Sequence, residues 1–210
     1  MKQPTKSSPY LSFFGKIQEA LARIAYPDED RLGVVDRICG VDAAYRRGRV
    51  AAAAVVYSVS EKRVLEEVVE LIGGRTTPYI PGFLVLREGP AMLQALQRLT
   101  SDYDVLVVDG HGRAHPRRCG LATLLGFVVG KPSIGVAKSI LTGTRQSSNN
   151  HDKIVENNEV IGLAKGKTVY SQGYGVSTND LHKVFNLFGG AYPEPLRVAD
   201  RLSREAVKKL

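Results

Sequence analysis

The segment Val105–Arg118, VLVVDGHGRAHPRR, decides the reading of the chain. Four apolar residues, three of them β-branched, run into Asp109, the pattern of a buried strand that ends on a carboxylate. Open α/β sheets bind ligands at that carboxyl edge. The loop that follows supplies His111 and His115, Arg113, Arg117 and Arg118, and unhindered backbone at Gly110 and Gly112. Imidazoles, guanidiniums and free N–H groups beside a carboxylate suit a metal ion and a phosphodiester. The same residues also fit a solvated basic loop in which Asp109 caps the next helix, so the rest of the chain has to decide.

The composition narrows the choice. The chain has 210 residues, enough for one substantial domain, read here as 1–210. It is 43% hydrophobic with a net charge of +8, which argues against disorder and for a polyanionic partner such as nucleic acid. Cys39 and Cys119 are too few for a disulfide framework and have no zinc-ligand spacing. The N-terminal MKQPTKSSPY has no apolar core, and no run reaches membrane-spanning length. The expectation is a cytoplasmic, soluble monomer without a membrane partner.

Outward from Val105 the chain reads as α/β. Residues 7–26 carry apolar side chains at helical spacing. Residues 34–45 and 50–59 read as strands joined by a turn at Arg46–Arg49, and 64–72 as a third strand or a short helix. A long connection, 73–87, holds Pro78 and Pro81. Glu88-Gly89-Pro90 then opens a helix to about Thr100, with Pro in its first turn. Helix 117–129 and strand 133–136 follow, and the alternation implies parallel pairing. Residues 146–152 read as a mobile polar loop and 159–176 as two or three short strands. Residues 178–188 read as a helix capped near Thr178 or Asn179, and 196–210 as a basic helix.

Three acids stand out: Asp42 inside an apolar strand, Glu88 at a helix start and Asp109 at a strand end. Each alone has an ordinary explanation: an ion-paired strand residue, a helix N-terminal charge, a cap. Together they match the ribonuclease H-like fold, whose first strand and next parallel strand lie side by side under a crossing helix. Carboxylates so placed could hold Mg²⁺, which prefers oxygen ligands.

The ordered motifs Gly40-Val-Asp-Ala-Ala-Tyr45, Pro78-Tyr-Ile-Pro-Gly-Phe-Leu84, Arg87-Glu-Gly-Pro90, Val108-Asp-Gly-His-Gly112, His115-Pro-Arg-Arg118, Ile134-Gly-Val-Ala-Lys138 and Pro193-Glu-Pro195 resemble the endonuclease V family. The resemblance implies a ribonuclease H-like mixed sheet flanked by helices. It implies Mg²⁺ (or Mn²⁺) held by Asp42, Glu88 and Asp109, with Asp200 completing the acidic site and Lys138 meeting the phosphate. Asp200 could equally pair with Arg204 along its helix. Tyr79, Ile80 and Pro81 correspond to the family's strand-separating wedge, and His115 to a backbone contact or a hydrogen bond within its loop. Gly82, Leu84, Gly110 and Leu121 correspond to a pocket for a flipped hypoxanthine. The implied activity is cleavage of the second phosphodiester 3′ to deoxyinosine in DNA, leaving a 3′-hydroxyl and a 5′-phosphate. Inosine-directed cleavage of RNA and non-catalytic nucleic-acid binding are the alternatives. Gly173-Tyr174-Gly175 departs from the Gly-His-Arg that many members carry there.

Overall fold

The computed structural model describes residues 8–73, 77–148 and 151–209. The Ser7 end of the first expected helix, 74–76 of the long connection, 149–150 of the polar loop and the terminal Leu210 lie outside them.

Helix α1 (Pro9–Ala22) leads into β1 (Arg37–Arg46), β2 (Arg49–Ser58) and β3 (Arg63–Ile72), an antiparallel meander. The segment 64–72, open between strand and helix in the sequence, is a strand. The β1–β2 turn places Arg47 and Gly48 at positive φ, 50° and 79°, the geometry that suits a two-residue hairpin loop. Helix α2 (Leu84–Gln97), β4 (Val105–Asp109), α3 (Leu121–Val129) and β5 (Ser133–Ala137) follow, and β1, β4 and β5 pair in parallel.

The expected parallel pattern stops at β5. β6 (Thr144–Gln146), β7 (Asp152–Glu156), β8 (Glu159–Lys165) and β9 (Thr168–Gln172) form antiparallel hairpins, and β9 joins β5 antiparallel. Residues 146 and 152, placed in a polar loop from the sequence, end β6 and begin β7. Helices α4 (Thr178–Leu187) and α5 (Glu194–Lys208) complete the chain. The sheet order is β3-β2-β1-β4-β5-β9-β8-β7-β6, a ribonuclease H-like arrangement extended on one side.

Side chains alternate along the central strands and divide the interior into two layers. Cys39, Val41, Leu106 and Val108 pack with Met92 and Ala95 of α2 and Leu121 and Leu125 of α3. Ile38, Val105 and Val107 pack on the opposite face with Leu181 and Phe185 of α4 and Leu196 of α5. Gly40 belongs to this second face. A Cβ there would lie 2.6 Å from the backbone of Pro195, so its absence lets α5 settle directly on β1.

Helix boundaries differ from expectation: α1 stops at Ala22 and α2 at Gln97, α5 starts at Glu194, and three further starts bear on the site or its frame. α2 starts at Leu84, and Pro90 sits in its interior with an exposed ring. Packing of Leu84 and Val85 on the core outweighs the hydrogen bond that proline removes. Glu88 therefore lies a turn inside the helix and is buried, rather than being a charge at its start. α3 starts at Leu121 because Arg118 adopts a φ of 53° and the N–H of Gly120 turns back to the Gly112 carbonyl. The cap of α4 is Ser177, in a reciprocal pair with Asp180. Among the described residues no helix is long and apolar enough to cross a membrane.

Candidate active site

Parallel pairing sets Val41 beside Val108, so the next residues along, Asp42 and Asp109, emerge side by side at the carboxyl edge of the sheet. By alternation both belong to the face covered by α5, which brings Asp200 up to them. Carboxylate oxygens of Asp42, Asp109 and Asp200 lie within 4.8 Å of one another. Lys138, just past β5, reaches into the group: its Nζ is 3.1 Å from Asp109 Oδ2 and 3.5 Å from Asp200 Oδ1. Arg204 holds the same Asp200 oxygen, Oδ1, at 2.9 Å, the intrahelical pair anticipated from the sequence.

Glu88 lies outside this group of converging oxygens. It arrives from α2, on the opposite face, and sits beside Tyr45, whose ring lies 3.9 Å from the Arg87 guanidinium. The structure thus joins Asp42 and Asp109 to Asp200 and sets Glu88 behind them.

Crowding governs the protons here. Burial, then the Asp109 charge, push Asp42 up to about 8. Burial and Asp109 likewise push Glu88 up to about 7. Burial works against the Lys138 ammonium, but Asp109 and Asp200 outweigh it and raise its pKa. Two further residues, not singled out from the sequence, face the acids. The hydroxyls of Tyr45 and Tyr192 are buried and turned towards Glu88 and Asp109 respectively, without reaching ideal hydrogen-bond geometry. The Tyr192 ring also lies 4.6 Å from Lys138 Nζ. The converging hard oxygen donors of Asp42, Asp109 and Asp200 fit a hydrated divalent cation of the magnesium type.

The acids open into a cleft of about 910 Å³. Tyr79, Gly82, Leu84, Gly110, His115 and Leu121 line the same cleft. Ile80 and Pro81 belong to the adjoining loop but not to the lining. Tyr79 is 54% exposed, free to meet a ligand. Gly110 has a φ of 153° and faces Leu121 at close range, and Gly82 has a φ of 77° against Arg117. Both bring bare backbone to the cleft wall.

His115 is engaged on both ring nitrogens. Its Nδ1 accepts the Arg117 N–H at 3.1 Å, and its Nε2 meets the Gly82 carbonyl at 3.2 Å. Burial, then Arg117, lower its pKa to about 4, so the ring is neutral. It ties the loop at 82 to the turn at 115–118. Gln18 of α1 does the same work: its amide donates to the Cys119 carbonyl at 2.7 Å and accepts from Arg117 Nε at 2.8 Å. Nothing in the sequence marked Gln18 except a polar residue on the apolar side of a helix. Gly173-Tyr174-Gly175 is a packing corner, with Tyr174 edge-on to Phe127 and Gly173 bonded to Ser133, and it does not line the cleft.

A ribonuclease H-like sheet with carboxylates clustered at the ends of its central parallel strands, and a basic residue among them, is built like a metal-dependent nuclease. The chain belongs to the endonuclease V family: the family model described as Endonuclease V matches residues 18–201. It is 37% identical over 199 residues to an endonuclease V from Sulfurisphaera tokodaii, covering 95% of this chain and 97% of that one. The crystal structure of the Streptomyces avermitilis endonuclease V superposes with a TM-score of 0.84 at 31% identity, covering 96% of this chain and 94% of that one. The Ciona intestinalis endonuclease V, crystallised with a 24mer DNA containing an inosine followed by a ribo-adenosine, superposes with a TM-score of 0.82 at 26% identity, covering 96% and 99%. Members of this family are metal-dependent nucleases that hydrolyse phosphodiesters.

Proposed function

We propose that this chain is a Mg²⁺-dependent endonuclease that recognises deoxyinosine in DNA and cuts the second phosphodiester 3′ to it, leaving a 3′-hydroxyl and a 5′-phosphate. Residues 1–210 act as one domain and as a monomer. The observation that carries the reading is the meeting of Asp42, Asp109, Asp200 and Lys138 in one cleft with the bare backbone at Gly82 and Gly110. The inosine-containing DNA bound by the Ciona relative supports the choice of substrate.

Asp42, Asp109 and Asp200 hold the cation, which when bound supplies an activated water and positive charge at the phosphate oxygens, a part Mn²⁺ can also fill. Lys138 sets its ammonium at the scissile phosphate, steered by the Tyr192 ring. Glu88 orients water from behind Asp109, and burial lets it keep a proton close to neutral pH. Tyr79 stacks in the gap left by the flipped base. The backbone at Gly82 and Gly110, with Leu84 and Leu121, encloses hypoxanthine tightly enough to leave no room for the exocyclic amine of guanine. His115 holds the loop that forms this wall.

The test uses matched inosine and adenosine strands, in DNA and in RNA, with Mg²⁺ and with EDTA. Cutting of inosine DNA only, with Mg²⁺ only, is the expected result. Asp109→Asn should lower cutting at least 10³-fold and leave binding in Ca²⁺ within a few-fold. Near-normal cleavage by that variant would sink the metal site. The ribo-adenosine in the strand bound by the Ciona relative is the reason for the RNA arm. Preferential RNA cutting would move the substrate, not the site.

A further inference from the structure

The cleft crosses the carboxyl edge of the sheet from one layer to the other. Leu84 and Leu121, in the proposed base pocket, open α2 and α3 on one face. Arg204 and Lys208, which also line the cleft, stand on α5 on the opposite face, and Arg46 lines it from the end of β1. The acids lie between.

On this far side two elements repeat one layout. β1 carries Asp42 and then, on the same face, Arg46, about 13 Å further along at strand rise. α5 carries Asp200, then Arg204 and Lys208 at successive i+4 positions, about 6 and 12 Å further along at helical rise. The outer ends are fastened together, because Arg46 Nη1 donates to the Lys208 carbonyl at 3.0 Å. Arg46, Arg204 and Lys208 are all exposed. These cations lead away from the phosphate-cutting centre, the innermost, Arg204, already paired with Asp200, and a row of this kind suits the repeated negative charge of a nucleic-acid strand.

We propose that Arg46, Arg204 and Lys208 form a backbone-binding arm for the strand on the 3′ side of the cut. The direction rests on the function proposed above: the lesion sits in the base pocket, the cut falls 3′ to it over the acids, and the chain then leaves across the arm. The arm contacts phosphates and not bases, so it adds grip without sequence preference. After the cut it holds the product that bears the new 5′-phosphate.

The experiment compares two inosine DNA strands of equal length. In one, the inosine is central, with a long 3′ flank; in the other, the strand ends one nucleotide past the cut. Affinity is measured in Ca²⁺ for wild type, Lys208→Gln and the double variant Arg46→Gln/Lys208→Gln, with melting temperature as a control. Lys208→Gln should weaken long-flank binding about 3-fold and the double variant about 10-fold, and each lost phosphate contact should reduce the salt slope by about 1. Binding of the short-flank strand should stay within two-fold. Equal losses on both strands, or a loss that follows the 5′ flank, would overturn the arm. If the double variant melts early, the single exposed change at Lys208 decides alone. Failure of the function reading has a different signature: wild-type protein then binds inosine and adenosine strands alike, and the two flank designs alike, before any substitution is made.

Discussion

Asp42 is a buried carboxyl with two more carboxylates against it, and this has a measurable cost in the metal-free protein. An unfolded Asp releases its proton near pH 3.9, whereas the folded one keeps it until about pH 8. Between those values the native state binds more protons than the unfolded chain, so stability from this group is full below pH 4 and drains as pH rises towards 8. His115 runs the other way, since its lowered pKa costs stability as pH falls from about 6.5 towards 4. The difference between wild type and Asp42→Asn isolates the Asp42 contribution. In EDTA the variant should melt a few degrees above wild type at pH 8 and lose that advantage at pH 4. Ca²⁺ should raise the wild-type melting point at pH 8 and leave the variant nearly unmoved. An advantage that is the same at both pH values would refute the crowding account.

Elements, not residues, carry the acids to one place, and the docking of α5 is the sensitive step. Gly40→Ala would drive a methyl into the Pro195 backbone, where no flexible side chain can yield. Overpacking of this kind costs about 1–3 kcal/mol, or roughly 3–10 °C in a chain of this length. Displacement of Asp200 should also lower turnover by about 10²-fold, the penalty of a misplacement near 1 Å. Gly33→Ala, which meets nothing within 4 Å, is the control. Unchanged melting and turnover in Gly40→Ala would mean that α5 is not held by this contact. β1, β2, β4 and β5 were legible because buried strands write apolar runs into the sequence, whereas β3, with no buried residue, read equally as a strand or a short helix. β6 was not, since its three residues are all exposed and follow no pattern. The start of α2 was misplaced because proline is a local signal and the packing of Leu84 is a tertiary one. Asp42 and Asp109 could be singled out from their strands, but the separation of Glu88 from the cluster depends on which face of the sheet each element covers.

At the scale of the whole molecule the net charge of +8 should be visible in binding. If about five phosphates are engaged, log affinity for inosine DNA should fall against log salt with a slope of roughly −4 to −5. A titration from low to physiological salt measures it, and a flat response would detach the charge from the substrate. The two margins of the sheet have a consequence of another kind. One ends in β6, three exposed residues with Arg145 at the centre, and the other in β3, which sets Glu66, Glu67 and Glu70 along its length. A second molecule adding its own β3 edge to edge would bring like charge up against Glu67, while Glu66 is already tied to Thr100 and Ser101 and Glu70 to Arg98, and a three-residue β6 offers little backbone to bond. Both margins of the nine-stranded sheet formed by the described residues therefore discourage edge-to-edge growth, so copies gathered on a polyanion, as the proposed function would bring about, would not zip their sheets together.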